Sequence, residues 1–174
     1  SSKPHIKTNL ILSFFLAVFA TAIMYLQKLK APWVDECYTY FGVAHDSFSD
    51  FYSSMATGIN FSPPLYFIVN FLTQLIYPTS IELLRVQSAI WTILGVILTF
   101  LLCRKAFGAR AAGISMLLVL SQSHLLFQQS LEARHYTMFF ATGAWVLFEL
   151  QRFNWKEINY KNQILIFISH LSLC

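Results

Sequence analysis

Long stretches without a single charged side chain constrain this chain more than any other feature. Asn9 to Gln27, Val86 to Cys103 and Ala111 to Leu131 each run uncharged, and basic residues gather just beyond them: Lys3 and Lys7 before the first, Arg104, Lys105 and Arg110 after the second. An apolar run of about 20 residues is what a helix needs to cross the hydrocarbon of a bilayer. Only 11% of the 174 residues are charged, against about 25% in an average soluble domain. That leaves too little polar surface to cover a water-soluble globule, so the expected fold is an all-α integral membrane bundle. The 17 phenylalanines suit a lipid-facing exterior with aromatic belts at its edges.

Five spans are expected, in a single transmembrane domain covering residues 1–174. They cover about 9–27, 86–103, 111–131, 134–150 and 163–174, the fourth starting between Glu132 and Tyr136 and closed by Arg152, Lys156 and Lys161. Pro63 to Tyr77 is apolar but short and contains Asn70, Thr73 and Gln74. If it crossed, the clusters at 104–110 and 152–161 would land outside, against the tendency of Lys and Arg to stay on the cytoplasmic side. Lying along the interface, it leaves every basic cluster inside together with Lys3 and Lys7. Residues 28–84 then form one external loop holding two juxtamembrane helices, one near Trp33 to Ala44 and one opened by Pro64. Proline is tolerated in a first helical turn. A Ser- and Asp-rich connector, Asp46 to Pro63, joins them. The amino terminus is cytoplasmic and the loop extracytoplasmic. The chain opens on Ser1 and ends on Cys174 inside an apolar run, so a fragment of a longer protein is expected.

The net charge of +4 does not point to nucleic acid, because the basic residues sit in short clusters between spans and form no stripe. Cys37, Cys103 and Cys174 lack metal-ligand spacing and form no even disulfide set. The carboxylates could suit a hard divalent cation, but nothing in their spacing demands one, so no metal or cofactor is expected.

Three charged features meet at the outer surface under this topology: Asp35-Glu36, Arg85, and Glu132-Ala133-Arg134-His135-Tyr136. Charges this close to hydrocarbon need a polar cavity or a partner. Carboxylates beside arginines fit one chemistry well. Moving a sugar from a lipid phosphate needs a base for the acceptor hydroxyl and cations for the departing phosphate. A carboxylate supplies the first, and Arg supplies the second by bidentate pairing.

Four segments resemble one family. Trp33-Val34-Asp35-Glu36-Cys37-Tyr38-Thr39-Tyr40 is similar to the Asp-Glu motif in the first external loop of GT-C class glycosyltransferases. These include the protein O-mannosyltransferases, the aminoarabinose transferases of lipid A and the Rgt-like family. Pro63-Pro64-Leu65-Tyr66-Phe67 resembles the Pro-Pro-Leu-Tyr opening of that family's second juxtamembrane helix. Arg85-Val86-Gln87-Ser88-Ala89 with Gly95 resembles the start of its second span, and Gln129 to Tyr136 its Gln-x-x-Glu-Ala-Arg-x-Tyr segment. The resemblance implies Asp35 as the catalytic base and Glu132 as the second acidic residue. It implies Glu36, Arg85, Arg134, Tyr136, Pro64 and Tyr66 as substrate contacts. The donor would be a polyprenyl-phosphate sugar, and the acceptor a lipid, glycan or protein at the outer face. The rival readings are a transporter or channel, with Glu132 and Arg134 lining a path, and a non-catalytic truncated membrane protein.

Overall fold

The computed structural model describes residues 3–57, 64–121 and 128–152, with 164 and 168 as isolated positions; of residues 3–12, 117, 120 and 121 it describes the backbone alone. Among these residues the chain is all-helical. In chain order the helices are α1 (Lys3–Leu29), α2 (Val34–Val43), α3 (Phe48–Ala56), α4 (Pro64–Gln74), α5 (Ile81–Phe107), α6 (Ala109–Ser121) and α7 (Tyr136–Arg152).

Helix α5 is bounded as its sequence dictates. The Ser80 hydroxyl accepts the Leu83 N–H at 3.1 Å, an N-cap that satisfies one of the first-turn donors. Glu82 lies in the first turn, and Arg104 and Lys105 lie in the last, both favourable with the helix dipole. Gly108 ends the helix at φ 88°, donating its N–H to the Arg104 carbonyl. That backbone conformation suits glycine, which has no Cβ to clash. The chain turns there and starts α6 at once, so α5 and α6 pack side by side.

Two cores hold the molecule together. Val96 and Phe100 of α5 join Ala112 and Met116 of α6, with Leu16 of α1 and Phe140 of α7 packed on them. The second core ties the three short helices to the bundle: Val43, Phe51, Tyr66, Phe67 and Phe71 close over Met138 of α7, with Trp91 of α5 at the edge. Where α5 meets α7, a Cβ on Gly95 would stand 2.3 Å from the Phe140 ring and 3.2 Å from the Ala141 backbone. The helices approach that closely because position 95 has no side chain.

Of the expected spans, the first lies within α1, the second within α5, and the fourth corresponds to α7, which begins at Tyr136. The third is described as helix to Ser121 and again at 128–130; residues 131–135 form turns and bends instead of helix. The fifth, apart from the isolated positions 164 and 168, and His124, Pro63, Lys156 and Lys161, lie outside the described residues. Ile81–Phe107 is the one described helix that is by itself long and apolar enough to cross a membrane; Ser13–Leu29 with Val34–Val43 meets the measure only as a pair bent by 96°.

The two expected loop helices are α2 and α4. The connector between them differs from its reading, because Phe48–Ala56 is helical. Its Ser and Asp residues cap that helix: Ser47 accepts the Asp50 N–H at 3.1 Å and donates to the Asp50 carboxylate at 2.7 Å. Phe51 anchors it by stacking on Phe71, ring centres 4.4 Å apart.

Candidate functional site

The charged residues singled out in the sequence converge where the Leu29 end of α1, the Val34 end of α2, the Ile81 end of α5 and the segment before α7 meet. At the centre is Arg85, 4% exposed. Its Nε and Nη2 donate to the two oxygens of Glu36 at 2.8 and 2.7 Å. Nη1 donates to the carbonyls of Gln27 and Lys30 at 2.7 and 2.8 Å, and Nη2 also to that of Ala31 at 3.2 Å. A guanidinium has five N–H donors in a fixed fork, so Arg85 is saturated from within the protein. It offers none to an outside ligand in this arrangement.

Glu36 is equally enclosed, at 0% exposure. Besides the Arg85 fork it accepts the Trp33 N–H at 2.9 Å and the Ala133 N–H at 2.9 Å. The first is half of a capping box at the start of α2. The second reaches across to the segment that carries Glu132 and Arg134. Burial by itself would raise the Glu36 pKa; hydrogen bonds from Arg85, Trp33 and Ala133 outweigh it and hold the carboxyl below its ordinary value. Gln27 adds a second tie, its Nε2 donating to the Arg85 and Ser130 carbonyls at 2.8 Å each.

On this buried frame sit two more open ion pairs. Arg134 Nη2 lies 3.4 Å from Asp35 Oδ2, with Asp35 45% and Arg134 18% exposed. Lys30 Nζ pairs with Glu132 Oε1, at 26% and 13% exposure. Glu132 and Arg134, one member of each pair, flank Ala133, whose N–H is fixed by Glu36. Tyr136 supports the same face: its hydroxyl is 3.5 Å from Arg134 Nη2, and the guanidinium lies 5.6 Å from its ring centre.

The two contacts expected at the start of α4 divide. Pro64 is exposed at the first position of α4. Tyr66 is 2% exposed in the core. It faces His135, ring centres 6.2 Å apart, and its hydroxyl lies near Ser88 and Asn70 without a hydrogen bond of normal geometry. Burial raises its pKa further above the phenol range. His135 is wedged among Tyr66, Tyr136 and Phe139. Burial, and then the Arg134 charge, lower its pKa to about 4, so it is neutral at pH 7.

Gln27 and Lys30 were not legible as site residues, because at the end of an apolar run they look like ordinary interfacial polar groups. Among the described residues no group of three or more His, Cys, Asp and Glu converges as a metal site. Against known proteins, no family model, curated protein or solved structure matches this chain.

Proposed function

We propose that the chain is an integral-membrane glycosyltransferase of the GT-C kind. It would move a sugar from a polyprenyl-phosphate donor to an acceptor hydroxyl on the extracytoplasmic face. One observation carries the reading most of the way: a half-exposed carboxylate, Asp35, stands beside a partly open guanidinium, Arg134, next to a second acid–base pair, Lys30–Glu132. In this reading Asp35 takes the proton of the acceptor hydroxyl. The freed oxygen attacks the anomeric carbon, the bond from that carbon to the phosphate oxygen breaks, and the lipid phosphate leaves with the electron pair. Arg134, with Lys30 behind it, neutralises the charge that gathers on the phosphate. Glu132 orients Lys30 and bounds the donor. The phosphate role expected equally of Arg85 passes to Arg134, since the Arg85 donors are all engaged; Arg85 and Glu36 become the frame that holds the site.

The membrane placement is part of the same proposal. Helix α4 has 11 residues, about 16 Å of helix, while a hydrocarbon core is about 30 Å thick. It is too short to cross, which supports an interfacial position. Each short helix also bears an outward apolar stripe: Val34, Tyr38 and Phe41 on α2, Phe48 and Tyr52 on α3, Ile68 and Leu72 on α4, with Leu75 just past its end. Stripes at this spacing are what interfacial helices immerse in the headgroup boundary. A transporter would place its ionisable groups near the middle of a span; here they gather at helix ends.

The donor side can be tested directly. With the protein in native membranes and a panel of labelled polyprenyl-phosphate sugars, one donor should support transfer. In the Arg134→Ala variant the KM for that donor should rise by about tenfold or more, as expected for a charge-assisted contact. Unchanged donor KM and turnover would remove Arg134 from the site.

A further inference from the structure

A cavity lies away from the ion pairs, at the far end of α2. It has a volume of about 440 Å³ and is lined by Tyr40, Ala44, His45, Asp46, Gln74 and Thr79, among others. That volume is in the range of pockets that take small molecules. We propose that it is a carbohydrate-binding site for the acceptor, an inference that rests on the transferase reading above.

Its lining has the chemistry of sugar recognition. Tyr40 supplies an aromatic ring, against which the C–H face of a pyranose can pack. Asp46 supplies a carboxylate that accepts from two adjacent hydroxyls. Helices α2 and α4 both end here, at Val43 and Gln74; the Tyr40, Val43 and Thr73 carbonyls at these ends already accept backbone N–H groups. The charged acceptor that meets the O–H donors of a sugar is therefore the Asp46 carboxylate. Neither Lys nor Arg lines the cavity, which argues against a phosphate and for an uncharged polyol.

The wall is braced in advance. Gln74 Nε2 donates to the His45 carbonyl at 2.8 Å, and Thr79 donates to Gln74 Oε1 at 2.5 Å. Both polar ends of Gln74 are thus spent on fixing the turn after α2 to the turn before α5, and a ligand meets a surface that needs little ordering. His45 Nε2 is buried without a hydrogen-bond partner, one polar group at this wall that the protein does not satisfy. Position matters too. At about 1.5 Å per residue, Asp35 and Ala44 stand roughly 13 Å apart along α2, so an acceptor of a few sugar units could rest in the cavity and present its end to Asp35.

The test is saturation-transfer NMR on the full-length protein in a detergent without a sugar headgroup. The probes are the methyl glycosides of glucose, galactose, mannose and N-acetylglucosamine. Saturation should reach at least one of them. The Asp46→Asn variant, altered at an exposed position, should weaken that binding by about tenfold, and Tyr40→Ala should do the same with an unchanged circular-dichroism spectrum. Asp35→Asn should leave it intact. The proposal is overturned if no glycoside is saturated, if saturation survives both cavity substitutions, or if methylammonium displaces the sugar, which would mark a cation site. Loss in Asp35→Asn alone would place the sugar at the ion pairs, overturning the cavity while sparing the transferase reading.

Discussion

Arg85 and Glu36 show how a buried ion pair organises the residues around it. Desolvating two such charges is expensive and is offset only when geometry is good and the remaining hydrogen-bonding groups are satisfied; here every Arg85 donor and both Glu36 oxygens have partners. The sequence marks both residues as costly near hydrocarbon, but it cannot say that they choose each other, since that depends on how α2 folds back on α5. A pH dependence follows. Glu36 has a depressed pKa in the folded protein, so its contribution is present above the ordinary glutamate range and is lost as pH falls through the folded value. His135 is lowered to about 4, whereas an unfolded histidine titrates near 6.5. The unfolded state then binds the extra proton between those values, and stability falls from about pH 6.5 down to about 4. Thermal unfolding followed against pH should show melting temperature declining across that window. The decline should be shallower in His135→Phe; an identical profile in the variant would mean that His135 is not held neutral by the fold.

The helices divide by how local their causes are. α1, α5 and α7 were legible because unbroken apolar runs specify helix and burial together. α2 and α4 were legible from proline placement and the turn to polar residues beside them. α3 was not, because Ser47, Ser49 and Asp50 read as a loop until one sees Phe51 stacked on Phe71 of α4. Tyr66 misleads in the opposite sense: a tyrosine beside an apolar run suggests a belt, yet contacts with α5 and α7 bury it. The packing of α5 on α7 makes its own prediction at Gly95. Valine there would meet Phe140 and the Ala141 backbone, and overpacking of this kind costs about 1–3 kcal/mol. Gly95→Val should therefore melt several degrees lower. A variant as stable as the parent would mean that the two helices are not so close.

At the scale of the whole molecule, the sequence announced an all-helical chain and the convergence of its charged segments, but not the division of labour among them. Topology is checkable independently of chemistry. In a background with Cys37, Cys103 and Cys174 replaced by serine, Phe107→Cys places a thiol at a highly exposed position of the α5–α6 turn. A membrane-impermeant maleimide should label it only after the cytoplasmic side is opened; labelling from outside would invert the arrangement and carry Asp35 to the wrong face. The most direct measurement concerns Asp35 itself. With the labelled polyprenyl-phosphate sugar that supports transfer, Asp35→Asn should bind the donor as the parent does and lose turnover by about a hundredfold or more, the scale of a missing general base. Turnover close to the parent's would mean that the proton leaves by another route and that this carboxylate is not the base.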